Sequence, residues 1–240
     1  MNAGPSTRRQ ALDLLGLTAA LALWGASLTG TRASTNSATG VTLDEISRAM
    51  GGVKTVFARF VQERHLSLFQ EPLRSEGFLC CQKPGRIRWE ITQPYRSVLV
   101  SDGSGVAQFE WIDDQWKRLD LGLADAMQQI VNQIAGIIEG RYASRKQEFE
   151  ITVAPSGAGP VLTLVPQQEK VRKMMRAIEV HLAADLKGTR RVVLRENNAD
   201  FTEIRFEEQV TDGVFPSATF DRAKPAPLES IQRAVSPNQR

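Results

Sequence analysis

The side chains able to do acid–base, nucleophilic or metal chemistry in this 240-residue chain are few. His65 and His181 are the only histidines, and Cys80 and Cys81 the only cysteines. Ser101-Asp102-Gly103 sets a hydroxyl beside a carboxylate, two of the three groups of a Ser/His/Asp set. No G-x-S-x-G elbow surrounds Ser101, however, and a serine next to Asp-Gly belongs to turn chemistry. Cys80 and Cys81 are adjacent, so a strand sends them to opposite faces, and no histidine lies near them in sequence. They read as one buried and one exposed thiol, and no disulfide framework follows from two cysteines. The expectation is therefore no catalytic residue, no metal ligand and no cofactor. What remains is binding by apolar surface.

That surface is concentrated between Pro84 and Gly103, PGRIRWEITQPYRSVLVSDG. Pro84-Gly85, Gln93-Pro94 and Asp102-Gly103 are turn signals around two strands. Ile87, Trp89 and Ile91 share one face by period-two alternation, while Arg86, Arg88 and Glu90 share the other, expected in water. On neighbouring strands, Leu79 alternates with Phe78 and Cys80, and Ala107, Phe109 and Trp111 share a face. A concave apolar face lined by Leu79, Ile87, Trp89, Ile91, Phe109 and Trp111, with Phe60 from the first strand, would suit an apolar ligand. The same residues also suit the core of a helix packed on a sheet, and alternation does not separate the two.

The other elements are read from period and punctuation. Thr42 and Glu45 have capping-box spacing ahead of a helix carrying Leu43, Ile46, Met50 and Val53. A long strand runs from Thr55 to Phe69, where the different parity of Phe57 and Phe60 suggests a bulge near Ala58-Arg59. Glu76 to Gln82, the two strands of the central stretch, Val106 to Ile112 and Trp116 to Leu121 continue an antiparallel meander, with Asp113-Asp114 as a tight turn. From Ala124 to Glu139 the period changes. Met127, Ile130, Val131, Ile134, Ile137 and Ile138 recur at three and four, and Gly140 stops the helix. Strands at 149–153, 161–165, 175–182, 191–195 and 201–207 complete the body. Lys170-Val171-Arg172-Lys173 with Arg176 is the densest basic run, either a solvated loop or a contact for acidic partners or anionic lipid.

Residues 1–33 read as an export leader. Paired Arg8-Arg9 precede an apolar run of about 15 residues, short for a membrane span of about 20. Thr31-Arg32-Ala33 offers small residues for cleavage after Ala33. The arginine pair fits a twin-arginine or an ordinary secretory signal. Residues 34–40 are a polar linker, 41–226 a domain, and 227–240 a polar tail expected to be disordered. The formal net charge is +3 with both signs interspersed, which argues against a nucleic-acid binder.

Pro84, Trp89, Gln93-Pro94 and Val100-Ser101-Asp102-Gly103 resemble the signature of the periplasmic lipoprotein carriers of the LolA family. Phe60-Val61-Gln62, Leu162 to Pro166 and the closing Phe220-x-x-x-Pro-x-Pro extend the resemblance over about residues 43–225. It implies an α+β fold, a strongly curved antiparallel sheet forming an incomplete barrel, with helices plugging the open side. It implies a non-enzymatic, monomeric periplasmic carrier of acylated lipoprotein or lipid cargo. The donor would be an inner-membrane ATP-driven exporter, and the recipient an outer-membrane acceptor. It also implies a lid carrying Met127, Ile130, Ile134 and Ile137. Lys83 stands where the family carries a basic residue, usually arginine, that holds this lid by hydrogen bonds. Lysine keeps the charge and loses the bidentate fork. The same fold would serve a carrier of another envelope lipid or glycolipid, or a structural envelope protein with a filled core.

Overall fold

The computed structural model describes residues 40–119 and 124–235, and within the helix at 124–138 the side chains of Gln128 and of Val131 onward. The leader at 1–33 and the linker up to residue 39 lie outside the described residues. In chain order the elements are α1 (Leu43–Gly52), β1 (Thr55–His65), β2 (Leu73–Gln82), β3 (Arg86–Gln93), β4 (Ser97–Asp102), β5 (Val106–Ile112) and β6 (Gln115–Arg118). Then come α2 (Ala124–Ile138), β7 (Phe149–Ala154), β8 (Val161–Pro166), the short α3 (Glu169–Arg172), β9 (Met175–Leu182), β10 (Thr189–Glu196), β11 (Phe201–Thr211) and α4 (Leu228–Val235). The capping box forms as expected: Glu45 N–H donates to Thr42 Oγ1 at 3.2 Å, and Thr42 N–H to Glu45 Oε2 at 2.7 Å.

The eleven strands of the described residues make one antiparallel sheet in the order β6-β5-β4-β3-β2-β1-β11-β10-β9-β8-β7. The two meanders meet where the first strand pairs with the last. The free edges, β6 and β7, are consecutive in sequence, and the connection between them contains α2. A barrel would close by pairing these two edges. Instead the helix that links them packs on β3 and β5 and shares one apolar cluster with β8 and β9 on the far side. The sheet is an incomplete barrel with helices over its inner face.

Turn residues set the hairpins. Asp113 and Asp114 both have positive φ, 52° and 58°, in the two-residue β5–β6 turn, the geometry that matches strand twist. The irregularity expected near Ala58-Arg59 is present, but β1 pairs with β2 without interruption. Phe57 and Phe60 simply face opposite sides of β1, and both sides are covered. The extra residue lies on β11, where pairing slips between Phe57/Val210 and Arg59/Glu207 and Glu208 takes a φ of 50°.

The sheet therefore has two cores. The inner one joins Ile46 and Met50 of α1, Val131 and Ile134 of α2, and Phe60, Trp89 and Leu162 of the sheet. The outer one joins Phe57, Cys80, Val98, Val100 and Phe109 to Phe220, Ile231 and Val235 from the end of the chain. This outer core corrects three expectations. Residues 228–235 of the supposed disordered tail form α4, whose Leu228, Ile231 and Val235 are buried at three-and-four spacing. Arg88 and Glu90 are not in water; each is 1% exposed. Cys80 is as buried as Cys81, because the face it points to is covered by the returning chain. Over β1, β2, β9, β10 and β11 the outer face is instead a charge lattice, as where Arg205 joins Glu63 at 3.0 Å and Glu203 at 2.8 Å and Arg195 of β10 pairs with Glu179 of β9.

Candidate binding site beneath the helix

The floor of the site is built by β1 to β4. Phe60, Leu79, Ile87, Trp89 and Ile91 all lie in the inner core, as the alternation predicts. Phe60 stacks on Trp89 with ring centroids 4.1 Å apart, and Phe206 meets the same indole edge-on at 6.3 Å. Gly77 makes this stacking possible: a Cβ there would come within 1.9 Å of the Glu90 carbonyl and 2.7 Å of the Phe60 ring. The roof is α2. Ile134 and Ile137 face the floor with Val131 and Ile138, whereas Met127 and Ile130 lie outside the residues whose side chains are described.

Phe109 and Trp111 do not line this face. Trp89 pairs with Leu99, and Leu99 with Gln108, so the inward residue of β5 in that row is Gln108. Phe109 pairs with Val98 and belongs to the outer core. Trp111, on the same face of β5, packs edge-on against Trp116, with the Arg96 guanidinium 4.6 Å from its ring centre. Period-two reasoning grouped residues correctly within β5; the register between β4 and β5 decides which group faces inward.

The closed end of the roof is fastened at the β2–β3 turn. Lys83 Nζ donates to the carbonyls of Met50 at 2.5 Å and Glu139 at 3.3 Å, near the C-terminal ends of α1 and α2. Carbonyls at a helix C-terminus carry the negative end of the helix dipole, so an ammonium there is favoured. Desolvation nonetheless pulls the Lys83 pKa below its ordinary value, opposed by the carboxylates of Glu139 and Asp212. The Glu139 carboxylate is 7% exposed and accepts from Gly85 N–H at 2.9 Å, while Arg141 Nε pairs with its other oxygen at 3.0 Å. Gly140, at φ 72°, ends the helix against α1, and a Cβ there would lie 2.4 Å from that of Met50. Burial pushes the nearby Cys81 thiol up to about 12, which keeps it protonated and unreactive.

The groups weighed for chemistry are used structurally. Ser101 donates to the Gly85 carbonyl at 3.3 Å and accepts from Gly103 N–H at 3.2 Å. Asp102 accepts from Ser104 N–H and Gly105 N–H and pairs with Arg222 at 2.7 Å, so it closes the turn and ties down the returning chain. His65 stacks on Phe201, and His181 Nε2 lies 3.0 Å from an Arg191 nitrogen. Among the described residues no His, Cys, Asp and Glu side chains are grouped to hold a metal ion. The basic run at 170–173 is not a loop: Lys170, Val171 and Arg172 lie in α3 with Lys173 at its C-terminal end, Val171 is buried, and the three basic side chains are exposed.

Sequence reasoning missed that residues 219–235 cover the outer face of β3, and that a helix follows residue 226. Arg88 donates to Glu90 at 2.7 Å and to the carbonyls of Ala226 at 2.7 Å and Thr219 at 3.4 Å. The spacing of Leu228, Ile231 and Val235 was the available signal.

The arrangement is an open half-barrel whose apolar inner face is covered by a helix. The profile of the outer membrane lipoprotein carrier protein LolA matches residues 51–223. The chain is 24% identical over 189 residues to the outer-membrane lipoprotein carrier protein of Dechloromonas aromatica, spanning 79% of this chain and 86% of that one. It is 26% identical over 131 residues to the carrier of Coxiella burnetii, covering 52% of this chain and 57% of the relative, little more than half of its length. A solved LolA superfamily protein from Nitrosomonas europaea aligns over 77% of this chain and 99% of its own, with 8% identity and a TM-score of 0.38.

The chain belongs to the LolA family. Members of this family are carriers rather than enzymes. No helix among the described residues is long and apolar enough to cross a membrane.

Proposed function

We propose that the protein is an exported, monomeric periplasmic carrier that shelters lipoprotein acyl chains between the inner face of the sheet and α2. It takes them from an inner-membrane ATP-driven exporter and delivers them to an outer-membrane acceptor. The observation that carries this reading is the construction of the roof. The described side chains of α2 meet the floor through apolar contacts, chiefly Val131, Ile134, Ile137 and Ile138, and its C-terminal end is fastened by Lys83 and Glu139. Apolar contacts are non-directional, so acyl chains can replace those isoleucines without leaving hydrogen bonds unmade. Each CH₂ left in water costs about 0.8 kcal/mol, so a multiply acylated protein does not cross an aqueous compartment unescorted. Closed and loaded states compete for the same floor of Phe60, Leu79, Ile87, Trp89 and Ile91, and affinity is set by the stability of the closed roof. Release then needs only an acceptor whose apolar surface is less well covered.

The test is native mass spectrometry of protein isolated from its own periplasm, followed by organic extraction. A bound acylated protein supports lipoprotein carriage, and a bound small lipid moves the cargo to another envelope lipid. Repeated absence of ligand, with no uptake of a fluorescent acyl probe, overturns the carrier reading in favour of a filled structural core.

A further inference from the structure

The inner face is not uniformly apolar. Gln108 is 6% exposed, and neither its amide oxygen nor its amide nitrogen has a hydrogen-bond partner. The register places it in the same row as Trp89 and Leu99, and Trp89 Nε1, on a residue 1% exposed, is also unpartnered. One row along, Ile91 pairs with Ser97 and Ser97 with Glu110, whose Oε1 is likewise buried without a partner. Neighbouring strands are about 4.8 Å apart and same-face rows about 7 Å, so the three side chains share one region of floor. It lies on β3 and β5, the strands on which α2 packs. Buried polar atoms are normally paired, and leaving them unpaired costs stability. Three neighbouring residues doing so beneath a removable roof is the pattern of a site waiting for its partner.

We infer that Gln108, Trp89 and Glu110 form a hydrogen-bonding subsite for the acyl ester or amide linkages of the cargo, set within an otherwise hydrocarbon-binding face. The inference rests on the carrier reading and adds a polar recognition element to it. Gln108 Nε2 and Trp89 Nε1 donate to linkage carbonyls, while Gln108 Oε1 accepts from an amide N–H or a hydroxyl. Desolvation raises the Glu110 pKa, which favours its protonated, donating form as pH falls. Pure hydrocarbon satisfies none of these groups. Glycerolipids and N-terminally acylated peptides both carry the required linkages.

The experiment compares the parent protein with Gln108→Leu, and with Gln108→Met as a second variant of similar volume. Three probes are used: diphenylhexatriene, which has no polar group; a fluorescent dioleoylglycerol; and a synthetic triacylated cysteine peptide. The expected result is unchanged diphenylhexatriene binding, an affinity for the linkage-bearing probes lower by about fivefold or more, and a raised Tm because an unpaired buried amide is gone. A loss confined to the peptide, or to the diacylglycerol, identifies which linkage is read. Equal affinity of parent and variants for all three probes overturns the inference and leaves the carrier reading intact. A lowered Tm with unchanged discrimination also overturns it, since Gln108 would then be structural. If the parent binds none of the probes, the carrier reading fails and the subsite with it.

Discussion

Arg88 and Trp89 are consecutive residues that serve opposite faces of one strand. Trp89 is the centre of the inner floor, and Arg88 gathers Glu90 and two carbonyls of the returning chain on the outer side. Desolvation raises the Glu90 pKa and Arg88 opposes it, so removing the guanidinium leaves a buried acid without its counter-charge. Arg88→Ala is predicted to cost about 3–5 kcal/mol in urea unfolding, whereas Arg88→Met with Glu90→Leu costs far less. Equal losses for the two variants would contradict this. The pattern of β3 was legible, because period two sorts Ile87, Trp89 and Ile91 from Arg86, Arg88 and Glu90. What covers the second set was not, because Thr219 and Ala226 lie 131 and 138 residues further on.

Asp102 gives a pH signature at the same scale. Desolvation pushes its pKa upward, but hydrogen bonds from Ser104, Arg222 and Gly105 outweigh this and hold it below its ordinary 3.8. A depressed carboxyl pKa adds stability above the unfolded value, and that stability is lost as pH falls through the folded one. The stability gap between the parent and Asp102→Asn is therefore full at about pH 7 and closes only well below about pH 4. A gap that widens on acidification would contradict the assignment.

Between elements, the informative contacts are those that fasten α2. Lys83 reaches carbonyls near the ends of both α1 and α2 with one ammonium. Lys83→Met removes those charge-assisted bonds while keeping the aliphatic stem. It is predicted to raise the population of the open state and the apparent cargo affinity, by roughly tenfold for about 1.4 kcal/mol of lost closure. Equilibrium binding of an acylated peptide measures it, and a lower affinity would mean that Lys83 holds cargo rather than roof. The helix itself was plain in the sequence from its three-and-four repeat and Gly140. The facing of β5 was not. Residues paired in a hairpin share a face, and the three-residue loop 103–105 sets Leu99 opposite Gln108. One residue more in that loop would have set Phe109 there instead. The last helix was obscured differently: Pro225 and Pro227 mark a break, and only the spacing of Leu228, Ile231 and Val235 signals a helix beyond it.

The whole molecule is a sheet prevented from closing. β6 and β7 are left as edges, and the helix between them occupies the interior that closure would have filled. Its antiparallel character and most strands were readable from turn residues and alternation. The incomplete barrel was suggested by ten or more short strands with two helices and matched by the resemblance to a family, whereas the pairing of β1 with β11 was not readable, because it joins strands about 150 residues apart. The most direct test of the central claim, that acyl chains enter between the inner face and α2, uses proximity to Trp89. Each tryptophan is retained alone, the others replaced by phenylalanine, and the protein is titrated with a triacylated peptide brominated in its acyl chains. Bromine quenches only at close range, so the account predicts strong quenching of Trp89 and little of Trp111 or Trp116 on the outer side. Quenching of Trp111 and Trp116 with Trp89 unaffected would place the cargo on the other face of the sheet and contradict it.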